Sequence, residues 1–286
     1  MNETDGLRGA PPTEPADGPE PWNPEPWNWR ILVVGATGVI GGAVATAVRA
    51  AGAELAVAGR DPARLAAVSA RLGDCPALAF DAYDLAGCGL LGARAASALG
   101  GLDAVVTAFG TVAFGRAEES SDVLDEHLFT VNALAPIAVL RGALGQIGPG
   151  GALAAVTGVV ASRPSAGMAG YSASKAALGA WLDAVRLEQR RNRVTVLDAR
   201  FPHLDTGFAD RAVAGRPPRL PPGGDLESCV AALVEGLVGA AARRAGAGAD
   251  RLRTGHEPGG GAPADGAPGG PSRSAPRAAI GLPRQP

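Results

Sequence analysis

Six short apolar runs recur along the chain: ILVV (31–34), ELAVAG (54–59), ALAF (77–80), DAVVTAFG (103–110), ALAAVTGVVA (152–161) and RVTVLDARF (193–201). A strand with one wet face alternates polar and apolar residues, whereas these runs are apolar almost throughout. Such strands are buried on both faces, and helices between successive strands supply the covering layers. The intervening stretches have helical length and pattern: GAVATAVRAAG (42–52), DPARLAAVSARLG (61–73), about 85–99, about 119–147, about 170–190 and DLESCVAALVEGLVGAAAR (225–243). Asp61 and Pro62 read as cap and first residue of the second helix. The pattern predicts an α/β fold, a doubly wound, mostly parallel sheet with right-handed crossovers. A last short strand is expected at DRLR (250–253).

This domain is expected over 29–245. Residues 1–28 carry seven prolines and six acidic residues, too little apolar surface to order themselves. They read as a disordered tail, and so does 246–286, where Gly, Ala, Pro and Arg dominate. Within PWNPEPWNW (21–29) the tryptophans are expected to pack on the edge of the first strand; a partner-binding motif is the alternative. A net charge of −2 gives no pull towards nucleic acid or anionic membrane. Arg190, Arg191 and Arg193 read as the solvated end of a helix. Three cysteines without CxxC spacing suit a reducing compartment. The acidic, proline-rich N-terminus lacks signal-peptide character, and no apolar run approaches the ~20 residues of a membrane helix. The expectation is a cytoplasmic protein without nucleic-acid or membrane partners. The three histidines are scattered and suggest no metal ligands; His203 alone lies near the expected cleft.

The loop GATGVIGG (35–42) directly follows the first strand and opens the first helix. Gly35, Gly38 and Gly41 are spaced G-x-x-G-x-x-G, where a dinucleotide pyrophosphate meets a helix N-terminus. A side chain there would hold phosphates away from the backbone N–H groups. Three glycines in a glycine-rich chain are weak evidence alone; their place inside a βαβ unit carries the reading. This is the Rossmann arrangement, in a single domain. The end of the second strand selects the cofactor. An acid there binds a ribose hydroxyl and an arginine a 2′-phosphate; the chain has Arg60, so NADP(H) is expected over NAD(H). Asp61 either caps the next helix or binds a hydroxyl.

In GYSASKAALGAW (170–181), Lys175 is the only lysine of the chain, four residues after Tyr171, one of two tyrosines. Positions i and i+4 share a helix face. An ammonium beside a phenol is expected to draw its pKa from about 10 towards neutrality, making a general acid or base. A compact ammonium also reaches ribose hydroxyls in a way a guanidinium does not.

With these motifs, residues 30–245 resemble a short-chain dehydrogenase/reductase. The resemblance implies that Tyr171 is the catalytic acid/base and that Lys175 binds the nicotinamide ribose. It places Asn132, in FTVNALAP, at a proton-relay water and Asp81, in FDAYD, at the adenine. Thr37 and Ile40 join the loop glycines as cofactor contacts, and Pro202 and Thr206, in RFPHLDTG, lie beside the nicotinamide. It further implies a small-molecule carbonyl or alcohol substrate. A homodimer or homotetramer would form through the long helix and the one bearing Tyr171.

Four features depart from the family pattern. Gly158 stands where the catalytic serine is expected, thirteen residues before Tyr171. Thr157 replaces it only if the strand end twists, since neighbouring strand residues face opposite ways; Ser162 and Ser165 are further candidates. TAFG (107–110) replaces NNAG, PHLDT replaces PG-x-x-x-T, and the glycine loop differs from the commonest TG-x-x-x-G-x-G. What they put at issue is carbonyl polarisation. The leading reading is an NADP(H)-dependent carbonyl–alcohol oxidoreductase. The alternatives are a non-redox dinucleotide-binding sensor or accessory protein and a dehydratase or epimerase on the same scaffold. Segment 207–224 reads as an irregular lid, and Met168 and Phe208 as part of an apolar pocket.

Overall fold

A computed structural model describes residues 28–254. The expected tails fall largely outside that range, as do Trp22 and Trp27. Trp29 is 5% exposed and belongs to the core.

The strands are β1 (Arg30–Val34), β2 (Glu54–Gly59), β3 (Ala77–Ala79), β4 (Leu102–Thr107), β5 (Ile147–Val156) and β6 (Thr195–Ala199). All pair in parallel in the order β3-β2-β1-β4-β5-β6. Helices α1 (Val39–Ala50), α2 (Pro62–Arg71), α3 (Leu85–Leu99), α4 (Asp122–Phe129), α5 (Ala135–Leu144), α6 (Ala169–Glu188) and α7 (Leu226–Thr254) connect or follow them. Alternate residues of each strand feed two cores. Ile31, Val33, Leu55, Val57, Val106 and Ala154 pack with α1 and with Val230, Leu233 and Leu237 of α7. Leu32, Val34, Ala56, Val105 and Leu153 pack with α3, α5 and with Leu178, Leu182 and Val185 of α6. Two covered faces are what the continuous apolar runs predict. At the edge remote from the site, Asp103 accepts from Arg30 and Arg244, joining β1, β4 and α7.

Four expectations are corrected. The run 250–253 is not a strand: α7 continues through Thr254. β5 ends at Val156 rather than at 161, because Gly158 adopts a left-handed φ of +91° and turns the chain into a single 3-10 turn, Val159–Ala161. The stretch 119–147 begins with a separate 3-10 turn (Ala117–Glu119) and contains a π-helical turn, Thr130–Leu134, between α4 and α5. Pro136 lacks the N–H that would reach the carbonyl of Asn132 in an α-helix, which accounts for the local change of pitch. Finally, Asp122–Leu144 is long and apolar enough by composition to cross a membrane, with 44% of it buried inside the fold.

Candidate active site

Strand order reverses between β1 and β4, so the connections from those strands leave in opposite directions and open a crevice beyond their carboxyl ends. The glycine loop lies there. Gly35 has φ +92°, and the N–H groups of Gly35 and Ala36 both donate to the Ala58 carbonyl, at 2.8 and 3.1 Å. A Cβ at Gly35 would stand 2.6 Å from the carbonyl oxygen of Ala108, and one at Gly41 would stand 2.2 Å from that of Gly35. Gly38 caps α1 without any side-chain hydrogen bond, and the first turn carries no acid. The helix therefore presents its first N–H groups and positive dipole end uncovered, which fits a pyrophosphate. Thr37 and Ile40 are half-buried on either side of Gly38.

Arg60 is exposed directly after β2. Asp61 caps α2, accepting from the Arg64 N–H at 3.0 Å, so the capping alternative holds. Arg64 reaches back and donates to the Thr37 carbonyl at 2.7 Å. Arg64 thus brings a guanidinium onto the loop, beside the one expected from Arg60 at the end of β2. The sequence carried a signal for the second: Arg64 is the third residue after the cap, turned back over the preceding loop. Asp81, after β3, is exposed and accepts from the Tyr83 N–H at 3.0 Å.

On the other side of the crevice, Asn132 is fully buried in the π-helical turn. Its side chain accepts from the Thr111 N–H at 2.8 Å and donates to the Thr111 carbonyl at 2.9 Å and to the Ser174 hydroxyl at 3.1 Å. It locks the loop after β4 to α6. Lys175 is buried on α6 and donates from Nζ to the Val156 carbonyl at 3.1 Å. A Cβ at Gly110 would stand 2.8 Å from Asn132 Oδ1 and 3.2 Å from Lys175 Nζ. The glycine of TAFG is what lets these groups converge.

Tyr171, one turn before Lys175, is half-buried beside the Phe208 ring, with centroids 6.4 Å apart and planes tilted by 48°. Burial pushes its phenol up to about 12 and brings the Lys175 ammonium down to about 8, the charge of Asp198 acting the other way. The phenol therefore sits above its ordinary value, opposite in direction to the draw towards neutrality expected from the lysine. The ammonium is turned onto the sheet at Val156, and burial, which disfavours the charged phenolate, is the cause of the phenol's rise.

Thr157 is buried, and its hydroxyl donates to Asp198 on β6. Pro202 and Thr206 follow β6, and the segment beyond is irregular apart from one short turn, Ala209–Arg211. It is anchored: Val213 N–H donates to the Val112 carbonyl and Phe114 N–H to that of Ala214, both at 2.9 Å. His203 pairs with Asp205 at 3.0 Å and helps to line, with Phe208, a cavity of about 360 Å³. A larger groove of about 1410 Å³ lies between α1, α2 and α7; Ala36, Thr37 and Gly38 of the glycine loop line part of it, and Tyr171 does not. Trp181, Leu182 and Val185 belong to the α6 core. Sequence reasoning missed Asp198 and Ser174, whose roles depend on contacts between distant elements.

A family profile described as short chain dehydrogenase matches residues 30–216. The chain belongs to that family. It is an NAD(P)-dependent oxidoreductase scaffold, with the six-stranded sheet described above. Among solved structures, a short chain dehydrogenase from Burkholderia cenocepacia J2315, in complex with NADP, is 26% identical with a TM-score of 0.63, covering 72% of this chain and 88% of that one. An alcohol dehydrogenase from Thermococcus sibiricus, complexed with 5-hydroxy-NADP, is 23% identical with a TM-score of 0.62, covering 71% and 87%. A short-chain dehydrogenase from Streptomyces avermitilis is 22% identical with a TM-score of 0.65, covering 80% and 97%. The last two speak for the fold alone. No curated protein matches the chain.

Proposed function

We propose that the protein is an NADP(H)-dependent reductase of small-molecule carbonyls, acting also in the reverse direction on alcohols. The observation that carries this reading is the placing of Tyr171 and Lys175 on one face of α6, with Lys175 Nζ beside Gly110 at the carboxyl ends of β4 and β5.

The bare N-terminus of α1 and the loop Gly35–Gly41 would hold the pyrophosphate, with Thr37 and Ile40 beside it and Asp81 towards the adenine. Arg60 and Arg64 would hold the 2′-phosphate, in bidentate fashion. NADP in the Burkholderia relative supports that preference. Pro202 and Thr206 would border the nicotinamide, whose chemistry is the transfer of a hydride to the substrate carbon. Every other step belongs to the chain. A phenol raised to about 12 is protonated at neutral pH, so Tyr171 is set as the acid that donates its proton to the carbonyl oxygen. Lys175, charged, offsets the phenolate left behind. Asn132 is held to Thr111 and Ser174 and completes the route by which Tyr171 is reprotonated. Thr157 has its hydroxyl committed to Asp198, so carbonyl polarisation falls to Tyr171 itself, without a strand hydroxyl. The cytosol is the proposed compartment. Val123, Phe129 and Leu134, exposed on the α4–α5 run, would form the face through which two copies associate.

The test is Tyr171→Phe, assayed by NADPH oxidation with an accepted ketone and by NADPH binding. Turnover should fall about 10³-fold, within the range for loss of a positioned acid, with binding retained. Unchanged turnover refutes the assignment. A second reading, dinucleotide binding without turnover, is favoured by the missing strand hydroxyl and by Phe208 over the phenol. NADPH binding with no oxidation across a broad carbonyl panel would select it.

A further inference from the structure

Asp198 has no part in the reaction proposed above, yet its side chain is enclosed, only 6% exposed. It leaves β6 towards α6, where Oδ2 would stand 3.7 Å from a Cβ added at Gly179. Gly179 lies one turn beyond Lys175 on the same helix face, and its lack of a side chain leaves room for the carboxylate. Oδ1 accepts the Thr157 hydroxyl, and Oδ2 accepts from Arg200 Nε at 2.7 Å. On β5, the residue before Thr157 is Val156, whose carbonyl receives Lys175 Nζ. The register sets Ala155 beside Asp198 and Val156 beside Ala199. Ammonium and carboxylate therefore meet successive residues where β5 ends, one through the Val156 carbonyl and the other through the Thr157 side chain.

We infer that Asp198 is a positioning residue, which keeps Lys175 charged from the sheet side and holds the Thr157 hydroxyl off the substrate. The inference rests on the reading of Lys175 as the charge that offsets the phenolate. Burial alone drives a lysine towards its neutral form, and a neutral amine offsets nothing. A carboxylate behind the ammonium restores the charge without touching phenol or substrate. Asp198 is the charged group that acts on Lys175 against desolvation. Arg200, 42% exposed, competes for the same carboxylate and weakens its pull on the lysine. The charged group that bears on the ammonium is thus Asp198 on β6, itself paired with Arg200 just after that strand; Tyr171 lies one turn away on α6. From β5 it meets the Val156 carbonyl and from the loop after β4 it faces Gly110, both neutral.

Because the chain contains one lysine, ¹⁵Nζ-lysine labelling of the full-length protein yields a single ammonium resonance whose titration reports Lys175 whether or not the enzyme turns over. The midpoint of the parent protein should lie near 8. Asp198→Asn should lower it by about one unit or more, the usual size of an opposite-charge effect, and Asp198→Glu should restore part of the loss. The alkaline limb of kcat/KM should move by the same amount. Arg200→Ala keeps the carboxylate and removes its competitor, so its midpoint should rise. An unchanged midpoint in a folded Asp198→Asn protein overturns the inference. Should that variant fail to fold, Arg200→Ala decides alone: a rise supports the inference, and no change or a fall overturns it. If the midpoints move as stated while the parent reduces no carbonyl, the functional reading fails and the coupling between the two residues stands.

Discussion

The loop after β1 and the strand end after β5 flank the same crevice, and they differ in what constrains them. In the loop, constraint lies in the backbone: Gly35 and Gly41 are required because a single added carbon would meet carbonyl oxygens at 2.6 and 2.2 Å. Any chain that folds this way needs those residues, so spacing alone could point to them. After β5 the constraint lies in side-chain hydrogen bonds between elements, Thr157 to the Asp198 carboxylate and Lys175 to the Val156 carbonyl, and no local spacing encodes it. The first region teaches that a motif is legible when sterics enforce it. The second keeps the reactive pair on α6 while the strand beneath it carries a different set of polar contacts.

The largest break expected from this contrast is at the loop. Gly41→Ala forces α1 away from the Gly35 carbonyl, and overpacking against backbone costs roughly 3 kcal/mol. Urea unfolding should show that loss, and NADPH affinity should fall with it. A variant as stable as the parent would mean that α1 shifts freely on the loop.

Next in size is Lys175→Met, read against pH. Burial brings the Lys175 ammonium down to about 8 from its ordinary 10.5. Below pH 8 both folded and unfolded chains carry the proton, and the folded chain bears the full cost of burying it, roughly 3 kcal/mol for such a shift. Between pH 8 and 10.5 the unfolded chain binds more protons than the folded one, so parent stability rises with pH. The methionine variant lacks this cost but also lacks the hydrogen bond to Val156, worth about 1 kcal/mol. It should therefore be more stable than the parent by about 2 kcal/mol at pH 7, with the gap closing towards pH 10.5, while losing activity. A gap that does not change with pH would separate the lysine from its burial.

How far the fold could be read follows the same division. Element order, the parallel sheet and its two cores are set by apolar periodicity, which is local, and β2 and α3 end where the pattern says. The end of β5 could not be read, because ALAAVTGVVA is apolar on both sides of Gly158 and only the backbone turn at that glycine stops the strand. Trp29, Asp61 and the Tyr171–Lys175 pair were visible from composition and spacing. Arg64, Ser174 and Asp198 act across elements 27, 42 and 41 residues from their partners, a distance at which pattern carries no information. The burial that raises the phenol is not legible from local spacing either: its ring neighbour Phe208 lies far along the chain.

A smaller effect is expected from the arginines beside the loop. Arg60→Ala should weaken NADPH binding about tenfold, the equivalent of about 1.4 kcal/mol, while leaving NADH binding within a factor of two. Arg64→Ala should add to this, since it removes both a cation and the bond to Thr37. Thermal shift with each cofactor measures the difference, and equal losses for NADPH and NADH would remove the 2′-phosphate role.

The least change is expected where a missing serine invites repair. Gly158→Ser supplies the hydroxyl that the family pattern lacks, and on chemistry alone it should accelerate turnover. Its backbone argues otherwise. At φ +91° a side chain is strained, by about 1–2 kcal/mol, although space is open, the nearest contact of an added Cβ being the Phe201 carbonyl at 3.6 Å. Relief of that strain requires the 157–159 backbone to rotate, which would break the bonds of the Thr157 and Gly158 N–H groups to the Ala199 carbonyl. The serine variant should therefore melt a few degrees lower, and its kcat should stay within about threefold of the parent. A tenfold rise in kcat, equivalent to about 1.4 kcal/mol off the barrier, would show that the strand end yields readily to a catalytic hydroxyl, and that the polar contacts beneath Lys175 are not what fixes its shape.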